Sequence, residues 1–504
     1  MKISIIQAPQ MVTLSNYLTT VAIPPLGLAY IKASLEQAGH QVQFIDGTGE
    51  ALAKFTPFGD YYLRGLPHEE IIKRVDPDVE LIGLGCMFTP QWPSVRLLAN
   101  GLKEAHPNAK IMLGGEHSSA LPGIILESSK VDYIVLGEGE ETAVSLANAL
   151  EKNEKIESMP GVAYIHKGKI QSVPRNRIKA IDEIPWPSWK DIPVEKYIEY
   201  NQPHGAALGR SMPMLATRGC PYRCSYCSSA QMWTTKWIPR DVKDLVDEME
   251  HYMRVYSAND FHFEDLTSII RRDWIIDFSK EIVERGLGDK ITWQLPSGTR
   301  SEAIDYEVMT WMKKAGCRIL SYAPESGSER MLKIMRKKIN LKHMLKAGKD
   351  AVNNKMTLQA NFVLGHPEEL FIDVLKTYAL VIQCAWIGFT EVHMACFYPL
   401  PNTEDFEKLK QAGRITDLSD EYFSTIFQGA DPLRPISWNH RFSDRQMQFL
   451  LLLGYAVFHG FSWLFRPWRF FSMVSNIITG KTTSKTERIL NESFKKLRYL
   501  GRSA

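Results

Sequence analysis

Three of the seven cysteines of this 504-residue chain fall in one short stretch, "TRGCPYRCSYC", as Cys220, Cys224 and Cys227 in CxxxCxxC spacing. Three thiolates on one tight loop can each bind one iron of a cubane cluster, which leaves the fourth iron without a protein ligand and open to a small chelator. Structural zinc asks for four protein ligands, commonly with C-x2-C spacing. Here the first gap is three residues, and the nearest histidines, His204 and His262, are distant in sequence. The remaining cysteines, Cys86, Cys317, Cys384 and Cys396, are scattered, as expected of buried thiols in a reducing compartment and not of disulfides.

The elements around this loop read as α/β. Up to about residue 155, five β-rich runs, "KISIIQ", "QVQFID", "ELIGLG", "KIMLGG" and "DYIVLG", alternate with helical patterns, which predicts a doubly wound, Rossmann-like parallel sheet. Each run ends in small or polar residues, where such sheets bind ligands. A nicotinamide-type dinucleotide fold is disfavoured, because "GEGEET" lacks the third glycine and no strand is followed by an intact GxGxxG. Residues 156–205 read as a connector with a hairpin, "GVAYIHKGKIQSVP", and a proline-rich segment. Over 206–405, six more β-like runs separated by helices predict a partial (β/α)6 barrel, with the cysteine loop following its first strand at the rim where such barrels hold their active sites. Residues 406–504 read as helical, with a basic tail.

The chain is 44% hydrophobic and 23% charged, with a net charge of +3, so it is globular and nothing demands a nucleic-acid partner. From Lys481 onward there are seven Lys or Arg against two Glu, which concentrates the positive charge in the tail. The N-terminal "MKISIIQAPQ" has no charged region followed by an apolar segment, so a cytoplasmic location is expected.

The cysteine spacing, with aromatic Tyr226 before the third cysteine, resembles the radical S-adenosylmethionine superfamily signature, and the resemblance extends over about residues 212–405. It implies a 4Fe-4S cluster on Cys220, Cys224 and Cys227, S-adenosylmethionine chelated to the open iron, and reductive cleavage to a radical that abstracts hydrogen from substrate. An electron donor of flavodoxin or ferredoxin type follows. "HFEDLT", "PESGSERML" and "NFVLGHPEE" are similar to the family's cofactor-contacting segments, although Asn361 and Asn402 depart from its pattern. The resemblance thus implies Tyr226, Glu264, Asp265, Arg300, Glu325, Ser326 and Gly365 as contacts to S-adenosylmethionine, with Glu264 and Asp265 near its amino group. Ser326 and Ser328 are also N-cap candidates for the helix that follows.

The N-terminal half resembles the cobalamin-binding domain that precedes the barrel in class B radical methyltransferases and in the anaerobic porphyrin-ester cyclase, through "IPPLGLAYIKASLEQAGHQVQFID", "LGGEHSSALP" and "VDYIVLGEGEET". Implied cobalamin contacts are Asp46, Thr48, Gly85, Gly114, Gly115, His117, Gly137 and Gly139. Many such domains carry DxHxxG, whose histidine ligates cobalt. Here Thr48 stands at the histidine position and Ala51 at the final glycine, so that ligand is missing. His117 is the alternative axial candidate, against a reading as a surface or supporting imidazole. Both resemblances together imply methyl transfer to an unactivated carbon, or to phosphorus, of a small or lipid-like substrate. The alternatives are cyclisation, oxidation or ring rearrangement with cobalamin in another role, and a cluster-bearing or cobalamin-bearing sensor without turnover.

One segment remains. "FLLLLGYAVFHGFSWLF", Phe449 to Phe465, has no formal charge over seventeen residues, the lower limit for crossing a bilayer, but His459 near its middle argues against a span. The expectations are a core helix against the barrel or an interfacial helix with Trp463, Arg466, Trp468 and Arg469 at the headgroup boundary. The second makes 449–504 a peripheral membrane contact.

Overall fold

The computed structural model describes residues 1–13, 21–175, 177–479 and 487. The five N-terminal runs all form strands, in the order Gln41–Asp46, Lys2–Gln7, Leu81–Gly85, Lys110–Gly114, Tyr133–Val135. Every neighbouring pair among them is parallel. The strands are near-continuous apolar runs because helices cover both faces. Successive strands step outward in opposite directions from the pair Lys2–Gln7 and Leu81–Gly85, so the crevice lies above their carboxyl ends.

The predicted hairpin is present as Val162–His166 and Lys169–Ser172, and it extends the edge of this first sheet by antiparallel pairing with Tyr133–Val135. A small antiparallel sheet of Gln10–Val12, Phe55–Phe58 and Tyr61–Arg64 was not legible in the sequence pattern. Its strands are three or four residues long, too short for a periodicity to register.

The second sheet runs Ser211–Met214, Asp260–Phe263, Thr292–Thr299, Cys317–Glu325, Thr357–Leu364, Glu391–Cys396, all parallel and in sequence order. The intervening helices start on side-chain caps, among them Asp241, Asp305 and Asn340, each accepting from backbone N–H groups of the first turn. Phe263 and Trp293 pack edge-on against Phe278 of the surrounding helices, and Tyr322 packs near Phe389. By strand alternation, His262, Gln294, Ser321, Gln359 and His393 turn to the inner face.

The helices after the barrel do not stand apart. Glu404–Gln411 and Asp420–Gly429 return to the first domain, where Phe406, Leu409, Tyr422, Phe423 and Ile426 share one apolar core with Trp92, Val95 and Leu98. Helix Asp444–Phe465 packs on Phe371–Ile387 and on strand Glu391–Cys396, with Tyr378 Oη donating to the Leu450 carbonyl at 2.6 Å.

Candidate active site

The cysteine loop leaves the short strand Thr217–Arg218, which pairs with Ile238–Pro239, and ends at helix Ser229–Trp233. Gly219 sits at φ +87°, and a Cβ there would lie 2.1 Å from the Lys236 carbonyl oxygen, so the turn into Cys220 admits only glycine. Cys220, Cys224 and Cys227 are free thiols, each partly buried. Burial pushes Cys227 up to about 12 and also raises Cys220, against the pull of Lys337 and Arg300. Among the described residues no three His, Cys, Asp or Glu groups are placed to hold a single metal ion. A cubane cluster makes a different demand, three thiolates each on its own iron, and this donor set fits it.

A buried trio supports the loop. Tyr226 Oη donates to Glu325 Oε1 at 2.9 Å, and Lys337 Nζ donates to the same oxygen at 2.8 Å. Glu325 closes its strand at φ +65°, a left-handed conformation that turns the carboxylate toward the loop. Burial works against the charge of Lys337, but the Glu325 carboxylate outweighs it and holds the ammonium above its ordinary pKa. On the other side, Ser225 donates to Asp405 Oδ2 at 2.6 Å, His366 Nε2 lies 3.2 Å from the same oxygen, and the Asp405 N–H donates to the Ser225 carbonyl at 3.0 Å. Lys337, Asp405 and His366 escaped sequence reasoning, because nothing local marks a residue that meets the loop only through the fold.

Of the remaining residues implied for S-adenosylmethionine, some face the rim and some do not. Arg300 stacks over the Tyr222 ring at 3.9 Å and pairs with Glu302 at 2.7 Å, beside the cysteine loop. Glu264 pairs with His204 Nδ1 at 2.7 Å in a cavity that also reaches His262, Gln202 and Pro24, between the two domains. Gly365 follows its strand at φ +84° and donates its N–H to Glu369 at 2.6 Å. Asp265 departs from expectation. Its carboxylate turns inward, accepting from Thr217 Oγ1 at 2.5 Å and the Ala216 N–H at 3.1 Å, and burial raises it to about 6. It fastens the strand that leads into the cysteine loop. Ser326 is likewise internal, accepting from the Ser328 N–H at 3.1 Å and lying 3.2 Å from Thr377 Oγ1.

At the cobalamin-type crevice the loop after Gln41–Asp46 is closed on itself. Asp46 accepts from the N–H groups of Thr48 and Gly49 and from Tyr197 Oη at 2.8 Å, and burial raises it to about 6. Thr48 is buried and donates to the Ala8 carbonyl at 2.9 Å. Neither side chain is offered to a ligand. His117 is not a surface imidazole: it lies between Trp92 and Phe423, with ring centroids at 5.6 and 5.3 Å and Nδ1 3.2 Å from Thr89 Oγ1. Burial lowers it to about 3, so it is neutral.

Several glycines are explained by internal packing. A Cβ at Gly115, φ +118°, would meet the Cys86 carbonyl oxygen at 2.4 Å. At Gly139 it would meet Ile31 at 2.8 Å, at Gly137 Arg175 at 3.0 Å, and at Gly85 Leu28 at 3.2 Å. Gly114 keeps open space, with nothing closer than 3.8 Å. Beside it, Met87 and Phe88 are 47% and 67% exposed after strand Leu81–Gly85, forming an apolar ledge at the mouth of the crevice. This open glycine and apolar ledge fit the face of a corrin macrocycle, whose polar amides lie around its rim. Met87 and Phe88 were missed in the sequence, where two apolar residues after a strand carry no signal of a ligand.

The two rims meet. Ser228, next to Cys227, donates its hydroxyl to Glu116, next to Gly115, and helix Glu116–Ala120 packs on helix Ser229–Trp233. Arg218 reinforces the junction, donating to Glu140 at 2.6 Å and lying 3.4 Å from Glu138.

Comparison with known proteins agrees with this geometry. The B12 binding domain family matches residues 19–147 and the Radical SAM superfamily matches residues 214–381. An uncharacterized methyltransferase of Pyrococcus horikoshii is 28% identical over 463 residues, covering 91% of this chain and 92% of that protein. The anaerobic magnesium-protoporphyrin IX monomethyl ester cyclase of Cereibacter sphaeroides is 28% identical over 415 residues, covering 80% of this chain and 63% of that one. The fold matches that of the radical S-adenosylmethionine methyltransferase TsrM from Kitasatospora setae, solved with cobalamin and a [4Fe-4S] cluster, at a TM-score of 0.63 and 17% identity over 82% of this chain and 75% of the other. With a B12-binding domain and a radical SAM barrel joined rim to rim on one chain, the protein belongs to the cobalamin-binding radical S-adenosylmethionine enzymes.

Proposed function

We propose that this enzyme transfers a methyl group to an unactivated carbon, or to phosphorus, of a small or lipid-like substrate. The observation that carries the reading is the contact between Glu116 and Ser228, which makes the two cofactor rims walls of one space. When bound, the cluster supplies an electron to S-adenosylmethionine and cobalamin supplies a carrier for its methyl group.

The chain's own residues hold and orient. Cys220, Cys224 and Cys227 would hold the cluster, releasing their protons as iron binds. Tyr226, Glu325 and Lys337 brace the loop from below, and Ser225 with Asp405 braces it from the side. Glu264 with His204 and Arg300 are the rim groups available to S-adenosylmethionine, whereas Gly365 is packed against Met447 and Cys396 and gives its N–H to Glu369. Gly114, Met87 and Phe88 would receive cobalamin, while Thr48 is held by the Ala8 carbonyl and His117 is enclosed beside Phe423. The polar inner face of the barrel, including Gln294, Gln359 and His393, suits a substrate whose reacting end carries hydrogen-bonding groups.

A division at residues 155, 205 and 405, a flavodoxin or ferredoxin type of electron donor, no nucleic-acid partner and residence in the cytoplasm belong to the same reading. A second reading, cyclisation or oxidation with cobalamin in another role, is favoured by the cyclase relative. Extracts with and without the protein, fed methyl-deuterated methionine, separate the two. Methyl transfer gives a product that carries the label, whereas cyclisation gives an unlabelled one. A protein that forms no 5′-deoxyadenosine under reducing conditions would be a sensor.

A further inference from the structure

The uncharged segment Phe449–Phe465 lies within a single helix, Asp444–Phe465. One side, Met447, Leu450, Leu451, Gly454, Phe458 and Ser462, is buried on the barrel. The other side is not covered by any described residue: Phe449, Leu452, Ala456, Gly460 and Leu464, at the three- and four-residue spacing of one helical face, are all exposed. Only 28% of its most apolar window is buried. This is neither the core helix, which would be enclosed, nor a span, because its inner face is committed to the barrel.

The apolar surface extends beyond this helix. Its neighbour Phe371–Ile387 exposes Phe371, Ile372, Leu375 and Trp386, and Trp386 meets Phe465 with ring centroids at 4.8 Å. Helix Trp468–Thr479 has no buried residue and exposes Trp468, Phe471 and Ile478. Arg466 and Arg469 join these pieces. They donate to the carbonyls of Ala385, Trp386, Ile387, Gly388 and Phe389, the free end of helix Phe371–Ile387. The two arginines therefore serve as a fixed hinge pin and not as headgroup ligands, which corrects their expected role. The ring contacts Trp386–Phe465 and Trp463–Phe470, at 4.8 and 5.1 Å, join the exposed apolar residues of the three helices into one patch of the kind that marks an interaction surface.

We propose that this face lies on an anionic lipid bilayer, its helices in the interface plane and not across it. Charge selects this occupant. Lys376 is exposed on helix Phe371–Ile387, Arg445 on the neighbouring helix is offset by exposed Asp444, and the positive charge comes mainly from the sequence that follows, where Lys481 to Ala504 carries seven Lys or Arg against two Glu. Except for Glu487, that tail lies outside the described residues. A two-fold dimer would bring two such basic tails into one assembly, whereas phosphatidylglycerol or another anionic lipid neutralises them. Trp386 and Trp468 are the residue type that settles at the headgroup boundary. The inference stands apart from the reaction that the barrel performs.

The test uses the full chain and its variant Trp386→Gln/Leu464→Gln/Phe471→Gln, all three sites being more than 60% exposed, so that the fold is not at stake. Ile165→Gln, at an exposed position of the hairpin that extends the first sheet, is the control. Wild type and control should co-sediment with phosphatidylcholine–phosphatidylglycerol vesicles and lose that binding in high salt. The triple variant should bind at least about tenfold more weakly. Failure of the wild type to bind, equal binding by the triple variant, or self-association without vesicles that the triple variant abolishes would each overturn the proposal, the last by making a second copy the occupant.

Discussion

Ser228 donates its hydroxyl to Glu116, and this hydrogen bond joins the residue after the last cluster cysteine to the residue after the paired glycines of the other domain. Cleaving S-adenosylmethionine requires only the barrel's rim, whereas moving its methyl group to cobalamin requires both rims in register. Glu116→Ala should therefore keep its iron and its cobalamin but raise the ratio of 5′-deoxyadenosine to S-adenosylhomocysteine by about tenfold, as expected for a reacting pair displaced by a fraction of an ångström. Chromatography of the reduced holoprotein's products gives that ratio. Glu116→Gln, whose amide oxygen still accepts from Ser228, should recover most of the wild-type value. An unchanged ratio in Glu116→Ala would mean that the contact does not set the alignment.

Lys337 is the countercharge for Glu325 beneath the cysteine loop. Lys337→Met removes one partner of a buried pair and should cost about 3–5 kcal/mol of stability. The double variant Lys337→Met/Glu325→Gln should be less destabilised than the sum of the single ones. Urea unfolding of the cluster-free protein measures this independently of any activity. A cost below about 1 kcal/mol, typical of an exposed pair, would show that the trio is solvated.

Glu369 is buried and raised to about 8, with Gly365 as its N–H donor. Its folded pKa lies above the ordinary carboxylate value, so between the two the folded state holds the proton that the unfolded state releases. Its contribution to stability is complete at low pH and is lost as pH rises toward 8. Relative to wild type, Glu369→Gln should gain as pH rises from mildly acid to 8, by up to about 1.4 kcal/mol per pH unit. Parallel stability curves would show that this carboxyl is not held neutral.

Thr48 donates to the Ala8 carbonyl, and His117 is enclosed between Trp92 and Phe423 with its Nδ1 beside Thr89 and its Nε2 buried without a polar partner. Electron paramagnetic resonance of the cob(II)alamin form should then lack nitrogen superhyperfine splitting, and His117→Phe should leave the spectrum unchanged. A nitrogen pattern that disappears in His117→Phe would place that imidazole on cobalt.

How much of this was legible in the sequence differs from residue to residue. The strands and the cysteine loop were readable because apolar runs, helical periodicity and thiol spacing are local signals. Asp265 and Ser326 illustrate the limit: a motif gives a residue's place in the chain but not the direction of its side chain, and both turn inward to satisfy buried backbone and hydroxyl groups. Phe423 and Trp92, which enclose His117, lie more than three hundred residues apart, so no local pattern could show that the C-terminal helices complete the first domain. The exposed face of Phe371–Ile387 was hidden for a related reason. That helix is apolar on nearly all sides, and only the fold shows which side lacks a cover.

Replacing any one of Cys220, Cys224 or Cys227 by Ala should remove most of the iron-sulfur absorbance after anaerobic reconstitution and abolish 5′-deoxyadenosine formation, because two thiolates hold a cubane poorly. Full activity in one of these variants would remove the loop from the chemistry.

The most direct test of the account is a single reaction: reduced holoprotein, cell extract as the source of substrate, and S-adenosylmethionine bearing a deuterated methyl group. Methyl transfer at the joined rims predicts 5′-deoxyadenosine, S-adenosylhomocysteine and a product carrying the intact labelled methyl, all three lost when Cys224 is replaced by Ala. Formation of 5′-deoxyadenosine with no S-adenosylhomocysteine and no labelled product would contradict it.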